Sequence, residues 1–260
     1  MSVTQAPRHA LVTGASRGIG YAVARQLLED GARVTLLGRG EESLRQASES
    51  LAAFGEVSFA SADISRQTDV RKAFEQAAAR FGVVDILVNN AGQAVSERFD
   101  RLDEAAWDKM IAVNLTGTFH CIQAALPGML AQQWGRVVNV VSTAGLVGYA
   151  YVSAYCAAKH GVIGLTRSLA LEVAKKGITV NAVCPGYTET DLVQEAIENI
   201  MKKTGMNRDE AKGRLAKGNP QGKLVQPAEV ASAVAWLCQP GASAVNGQSI
   251  PVDGGEVMAG

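Results

Sequence analysis

A short apolar run, His9-Ala10-Leu11-Val12-Thr13, passes directly into the turn Gly14-Ala15-Ser16-Arg17-Gly18-Ile19-Gly20. A segment with helical periodicity, Tyr21 to Asp30, follows and stops at Gly31. Strand, glycine turn and helix in that order confine the start of the chain to the first half of a βαβ unit. Glycines let backbone approach a pyrophosphate closely, and the helix N-terminus offers free N–H groups and a favourable dipole.

The alternation then repeats. Arg33–Arg39 reads as a second strand, Glu41–Phe54 as a helix, Glu56–Ser61 as a third strand, and Asp63-Ile64-Ser65 as a turn whose Ser65 could cap a helix over Arg66–Phe81. Asp85–Asn89 is a fourth strand ending in Asn89-Asn90-Ala91-Gly92, where paired amides suit either a ligand or a turn. A helix from near Asp103 carries Trp107, Met110, Ile111, Val113 and Leu115 and continues through Phe119 and Ile122 toward Leu126 and Pro127, with Asn114 interrupting its apolar face. Arg136–Ser142 is a fifth strand, Tyr155–Lys175 a helix, Ile178–Cys184 a sixth strand, and Ser249–Val252 a last one. Such alternation implies a single α/β domain over residues 1–260: a Rossmann-type, doubly wound parallel sheet with right-handed crossovers.

Residues 191–226 break this rhythm with polar, helical text interrupted at Gly205, Gly213 and Gly218, as a helical lid over a substrate would. Pro227 opens the helix that runs to Leu237.

In a parallel sheet the ligand crevice lies at the carboxyl ends of the strands. The second strand ends in Gly38-Arg39 where an acid would accept the ribose hydroxyls of NAD, and Arg17 stands in the glycine loop. Two guanidinium groups suit a 2′-phosphate, so NADP(H) is favoured and NAD(H) remains open; the neighbouring Glu41 and Glu42 count against the arginines, which could equally be surface charges. Asp63 is placed to meet the adenine amino group. Ser142 stands at the carboxyl end of the fifth strand, and Tyr155 and Lys159, four residues apart, share one helix face. Tyr149 and Tyr151 are candidates for the substrate pocket, or for packing.

Bulk properties narrow the partners. Lys+Arg 25 balances Asp+Glu 25, so no net field recruits nucleic acid or an anionic membrane. Cysteines 121, 156, 184 and 238 show neither a disulfide framework nor metal spacing, and His9, His120 and His160 join no catalytic constellation. Without a signal core or a membrane-length apolar run, a cytoplasmic location is expected.

Four motifs in order make the chain resemble the short-chain dehydrogenase/reductases from about His9 to about Gly255. Thr13-Gly14-Ala15-Ser16-Arg17-Gly18-Ile19-Gly20 looks like that family's TGxxxGxG loop, Asn89–Gly92 like its NNAG, Tyr155–Lys159 like its YxxxK, and Pro185-Gly186 like its PG turn. The resemblance implies a catalytic tetrad of Asn114, Ser142, Tyr155 and Lys159. It also implies a cofactor site of Gly14, Ser16, Arg17, Gly18, Ile19, Gly20, Arg39, Asp63, Ile64, Asn90, Ala91, Gly92, Tyr155, Lys159, Pro185, Gly186, Thr188 and Thr190. Thr188 and Thr190 would orient the nicotinamide carboxamide, and Asn114 would anchor a proton-supplying water.

The C-terminal half looks most like 3-oxoacyl-thioester reductases and polyketide ketoreductases, which implies a CoA- or carrier-linked ketone, facing Ser142, Tyr149 and Tyr155, and a homotetramer. Lid residues Lys202, Lys203, Arg208, Lys212, Arg214 and Lys217 could meet substrate phosphates or simply face solvent. The alternatives are a free cyclic or aryl ketone or alcohol, or a non-catalytic NADP-binding redox sensor. An intact tetrad argues against the sensor. Nucleotide-sugar epimerases differ in glycine-loop spacing, and enoyl reductases in the Tyr–Lys separation.

Overall fold

The computed structural model describes residues 7–258. Strand β1 (His9–Thr13) leads through the glycine turn into α1 (Gly18–Glu29), and β2 (Arg33–Gly38), α2 (Glu41–Leu51), β3 (Val57–Ser61), α3 (Gln67–Phe81) and β4 (Ile86–Asn89) follow. Helices α4 (Glu104–Ile111) and α5 (Gly117–Gln132) flank a π turn, Ala112–Thr116. Then come β5 (Gly135–Val140), α6 (Ser153–Val173), β6 (Ile178–Pro185), α7 (Asp191–Thr204), α8 (Arg208–Ala216), α9 (Pro227–Cys238) and β7 (Ser249–Val252).

These strands form one parallel seven-stranded sheet in the order β3-β2-β1-β4-β5-β6-β7. Winding reverses between β1 and β4, and a crevice opens there at the carboxyl ends. Both faces are covered, so strands read as continuous apolar runs with their side chains divided between two cores. On β1, Ala10 and Val12 enter the core beneath α1, α2 and α9, and Leu11 enters the one beneath α3, α5 and α6. Leu36 and Leu37 on β2 part in the same way. Full burial of each such leucine stabilises by roughly 1.5–3 kcal/mol. Helices α7 and α8, in the segment expected to cover a substrate, have a small core of their own, centred on Val193, Ile197, Ala211, Ala216 and Leu224.

The structure corrects several local expectations. Ser65 does not cap α3: its hydroxyl donates to Asp63 Oδ1 at 2.7 Å, and Arg66 occupies the N-cap position without a side-chain bond. The long helix after Asp103 is divided by the π turn, and Pro127 lies inside α5, which runs on to Gln132. Gly213 sits within α8 and interrupts nothing. The α-helix begun at Glu41 closes at Leu51 and tightens to a 3₁₀ turn over Ala52–Phe54.

Candidate active site

The glycine loop is built for close approach. Gly14 and Gly18 have φ of +64° and +58°, in the left-handed region that glycine tolerates. A Cβ on Gly14 would lie 2.8 Å from Ala91 Cα, and one on Gly20 would lie 2.3 Å from the Gly14 carbonyl oxygen. Helix α1 begins here with no side-chain cap and no acid in its first turn. Its free N–H donors and positive dipole end therefore fit a phosphate. Asn90 holds this cradle: its Nδ2 donates to the carbonyls of Thr13 and Gly14 at 3.0 and 3.1 Å. Thr13 Oγ1 accepts from the amides of Asn90 and Ala91, both at 2.9 Å. The Asn90 amide is thus committed to the loop, which it braces.

Asp63 Oδ1 is committed as well, accepting from the Ser65 amide at 3.0 Å and the Ser65 hydroxyl. Burial pushes the Asp63 carboxyl up, and these bonds together with Arg39 and Arg66 bring it below its ordinary range. Ile64 offers its backbone: its carbonyl accepts from His120 Nδ1 at 3.0 Å. His9 and His160 bond to the Gly82 and Cys156 carbonyls, both at 2.9 Å, in structural pairings of the same kind.

The two arginines differ. Arg39 is exposed and forms no ion pair among the described residues, since Glu42 turns to Arg45 instead. Arg17 reaches the lid, with Nη1 3.1 Å from Asp191 Oδ2, in a pair exposed enough to contribute at most about 1 kcal/mol. Thr190 stands over Gly18, and its hydroxyl donates to the Thr188 carbonyl at 3.3 Å, while Thr188 donates to the Gly186 carbonyl at 3.0 Å.

Tyr155, Lys159 and Ser142 meet at the carboxyl end of β5. Lys159 is buried, its ammonium donating to the Val140 carbonyl at 3.0 Å and lying 5.6 Å from the centre of the Tyr155 ring. Burial lowers its pKa to about 8. The Tyr155 phenol is pushed up to about 12, chiefly by burial, while the Ser142 hydroxyl beside it favours ionisation. Gly92 permits this grouping, because a Cβ there would lie 2.7 Å from Asn114 Oδ1 and 3.7 Å from Lys159 Nζ.

Asn114 is fully buried in the π turn. Its Nδ2 donates to the Gln93 and Met110 carbonyls at 2.9 and 3.0 Å, and its Oδ1 accepts from the Gln93 amide at 3.1 Å. Both amide hydrogens are used, so the side chain has no donor left to offer a water. The backbone carbonyl of Asn114 accepts the Thr118 hydroxyl, at 3.1 Å. It lies in the π turn, where the regular i→i−4 ladder is interrupted.

One cleft of about 770 Å³ is lined by Ser142, Tyr155 and Lys159, by Ile19, Asn90, Gly92, Pro185, Gly186, Thr188 and Thr190, and by lid residues including Lys203 and Arg214. Tyr149 and Tyr151 line it too. Sequence reasoning missed Gln93, whose buried Nε2 has no partner among the described residues, as well as Tyr187 and Glu256. Gln93 directly follows the Asn–Asn–Ala–Gly motif, a signal that could have marked it. Among the described residues no group of His, Cys, Asp or Glu could hold a metal, and no helix is long and apolar enough to cross a membrane.

A family model described as short chain dehydrogenase matches residues 8–200. The chain is 39% identical over 250 residues to the D-beta-hydroxybutyrate dehydrogenase of Rhizobium meliloti, covering 95% of this chain and 97% of that one. It is 40% identical over 253 residues to a 3-oxoacyl-acyl-carrier-protein reductase of Staphylococcus aureus, covering 96% and 98%. A crystal structure of a variant actinorhodin polyketide ketoreductase with NADPH superimposes with a TM-score of 0.94 at 40% identity, covering 97% of this chain and 98% of that one. The glycine cradle, the Tyr155–Lys159 pair and these matches together make the chain a member of the short-chain dehydrogenase family, an oxidoreductase that interconverts ketones and secondary alcohols.

Proposed function

We propose that this enzyme reduces the ketone of a 3-oxoacyl thioester, CoA- or carrier-linked, with NADPH, and that Asn114, Ser142, Tyr155 and Lys159 carry the reaction. The observation behind this reading is the single cleft lined at once by the Ser142–Tyr155 pair and by the exposed cations Lys203 and Arg214. Such an arrangement suits a substrate with a neutral reacting end and a phosphate-bearing arm.

Gly14, Gly18 and the start of α1 would hold the pyrophosphate, Arg39 and Arg17 the 2′-phosphate, Lys159 the nicotinamide ribose, and Thr188 and Thr190 the carboxamide. Arg17 gives up only an exposed pairing to do so. NAD(H) is the lesser candidate. When bound, the cofactor would supply the hydride that the carbonyl carbon takes up. As that happens, the Tyr155 phenol donates its proton to the carbonyl oxygen and the Ser142 hydroxyl hydrogen-bonds the same oxygen. The Lys159 ammonium stabilises the phenolate left behind. A water on the Asn114 carbonyl would return the proton through Lys159.

The hydroxybutyrate dehydrogenase relative favours a second reading, a free 3-hydroxy acid. Steady-state assays with both cofactors, pairing a 3-oxoacyl thioester with acetoacetate and with cyclic and aryl ketones, separate these. Thioester turnover with NADPH at least about tenfold above every free ketone is the expected outcome, and the reverse order refutes the reading. We also place the enzyme in the cytoplasm as a homotetramer, supported by the exposed apolar residues Phe119 on α5 and Leu171 on α6, to be checked by light scattering.

A further inference from the structure

Behind the cleft wall stands a carboxylate that the reaction does not use. Glu256 follows β7 in a turn that Asp253 builds by accepting from the Gly255 and Val257 amides at 2.9 and 2.8 Å. The Glu256 Oε1 lies 2.7 Å from the Tyr149 hydroxyl, whose oxygen is 2.9 Å from Thr143 Oγ1. A carboxylate can only accept and a phenol has one proton, so Tyr149 donates to Glu256 and accepts from Thr143. Thr143 is the neighbour of Ser142, and both Thr143 and Tyr149 line the cleft.

Space for the carboxylate is made by glycines at two other elements. A Cβ on Gly186, in the turn after β6, would lie 3.1 Å from Oε2, and one on Gly218, at the end of the lid, 3.0 Å from Oε1. No Lys or Arg pairs with Glu256 among the described residues. Its charge is felt locally: burial first, and then this carboxylate, keep the Tyr149 and Tyr187 phenols protonated.

We infer that Glu256 is a specificity-determining residue, which places a negative charge without a cationic partner behind Tyr149 and thereby rejects substrates whose carboxylate is one methylene away from the reacting ketone. A neutral thioester or ester passes the same wall. The inference rests on the ketone-reductase reading and deepens it, since it separates thioesters from free 3-oxo acids by a residue on the C-terminal tail. Glu256 touches no reacting atom. It acts through Tyr149, which it holds in place, and through its field.

The test compares acetoacetate with methyl acetoacetate, the same carbon chain with and without the charge, using NADPH and wild type, Glu256→Gln and Glu256→Ala. Glutamine keeps an acceptor for Tyr149 and removes the charge; alanine removes both. Wild type is expected to favour the ester. In Glu256→Gln the ester-to-acid ratio of kcat/KM falls about tenfold, mainly through a lower KM for the acid. In Glu256→Ala the ratio falls similarly, and both substrates lose kcat as Tyr149 comes free. A ratio unchanged by Glu256→Gln, or a wild type that prefers the acid, overturns the inference. Where only one of the two variants folds, its ester-to-acid ratio against wild type decides in the same way, and if no short ketone turns over, the two ligands are compared as competitive inhibitors of the same proteins. Failure of the thioester reading has a different signature: an acyl thioester no better than methyl acetoacetate.

Discussion

Tyr155 and Lys159 hold opposite protonation problems in one buried space. With its pKa pushed up to about 12, the Tyr155 phenol keeps its proton across the neutral range, as a donor to a carbonyl must. Alcohol oxidation needs the phenolate, so its kcat/KM should climb with pH above neutrality while ketone reduction stays flat; parallel pH profiles in both directions check this. Tyr155→Phe should lower turnover by at least about 10²–10⁴-fold while NADPH binding, followed by fluorescence titration, stays near wild type. Lys159 behaves inversely. Its folded pKa of about 8 lies below the ordinary 10.5, so the unfolded chain holds that proton more tightly between those values. Stability of the cofactor-free protein should therefore rise with pH through that window. Lys159→Met should flatten the rise and increase Tm at pH 7 by about 2–4 °C while abolishing activity, as thermal melts and assays would show. None of this was visible from spacing alone. The four-residue interval places both groups on one face, but the depth of burial that sets their pKa values comes from Val140, Gly92 and the strands beneath.

At the scale of elements, the glycine loop and the π turn are the two pieces of backbone on which the site depends. Gly20→Ala would drive a Cβ against the Gly14 carbonyl oxygen, where the intruding contact is backbone and cannot rotate away. It should cost about 1–3 kcal/mol in denaturant unfolding and weaken NADPH binding more than any substrate KM. The loop was legible because strand, glycines and helix are local signals. The π turn was not. By periodicity Asn114 read as an amide interrupting an apolar face, and only the motif resemblance set it apart; its bonding depends on Gln93, which is distant in sequence and reaches it because Gly92 lets the β4 loop close against the helix. Ser65 was misread as a cap for a related reason: Asp63, two residues earlier, competes for its hydroxyl.

For the whole molecule, stability is divided between the sheet and the lid. The strands share two large cores, while α7 and α8 rest on a small one, on the exposed pair Arg17–Asp191 and on the half-buried pair Lys212–Glu189. Amide exchange should accordingly be fastest in α7 and α8 and slowest in β1, β4 and β5, and NADPH should slow the lid selectively; uniform exchange across both regions would contradict this division. The sequence by itself determined the order of strands and helices, the parallel sheet, the glycine cradle and the Tyr–Lys pair, because hydrophobic period, glycine position and helical spacing act over a few residues. Only the tertiary structure decided what closes the cleft. Glu256 meets Tyr149 across 107 positions of chain, Asp191 meets Arg17 across 174, and the Asn114 amide is spent on Gln93. Such pairings follow from which strand ends the sheet brings together, and no local pattern of residues encodes that distance.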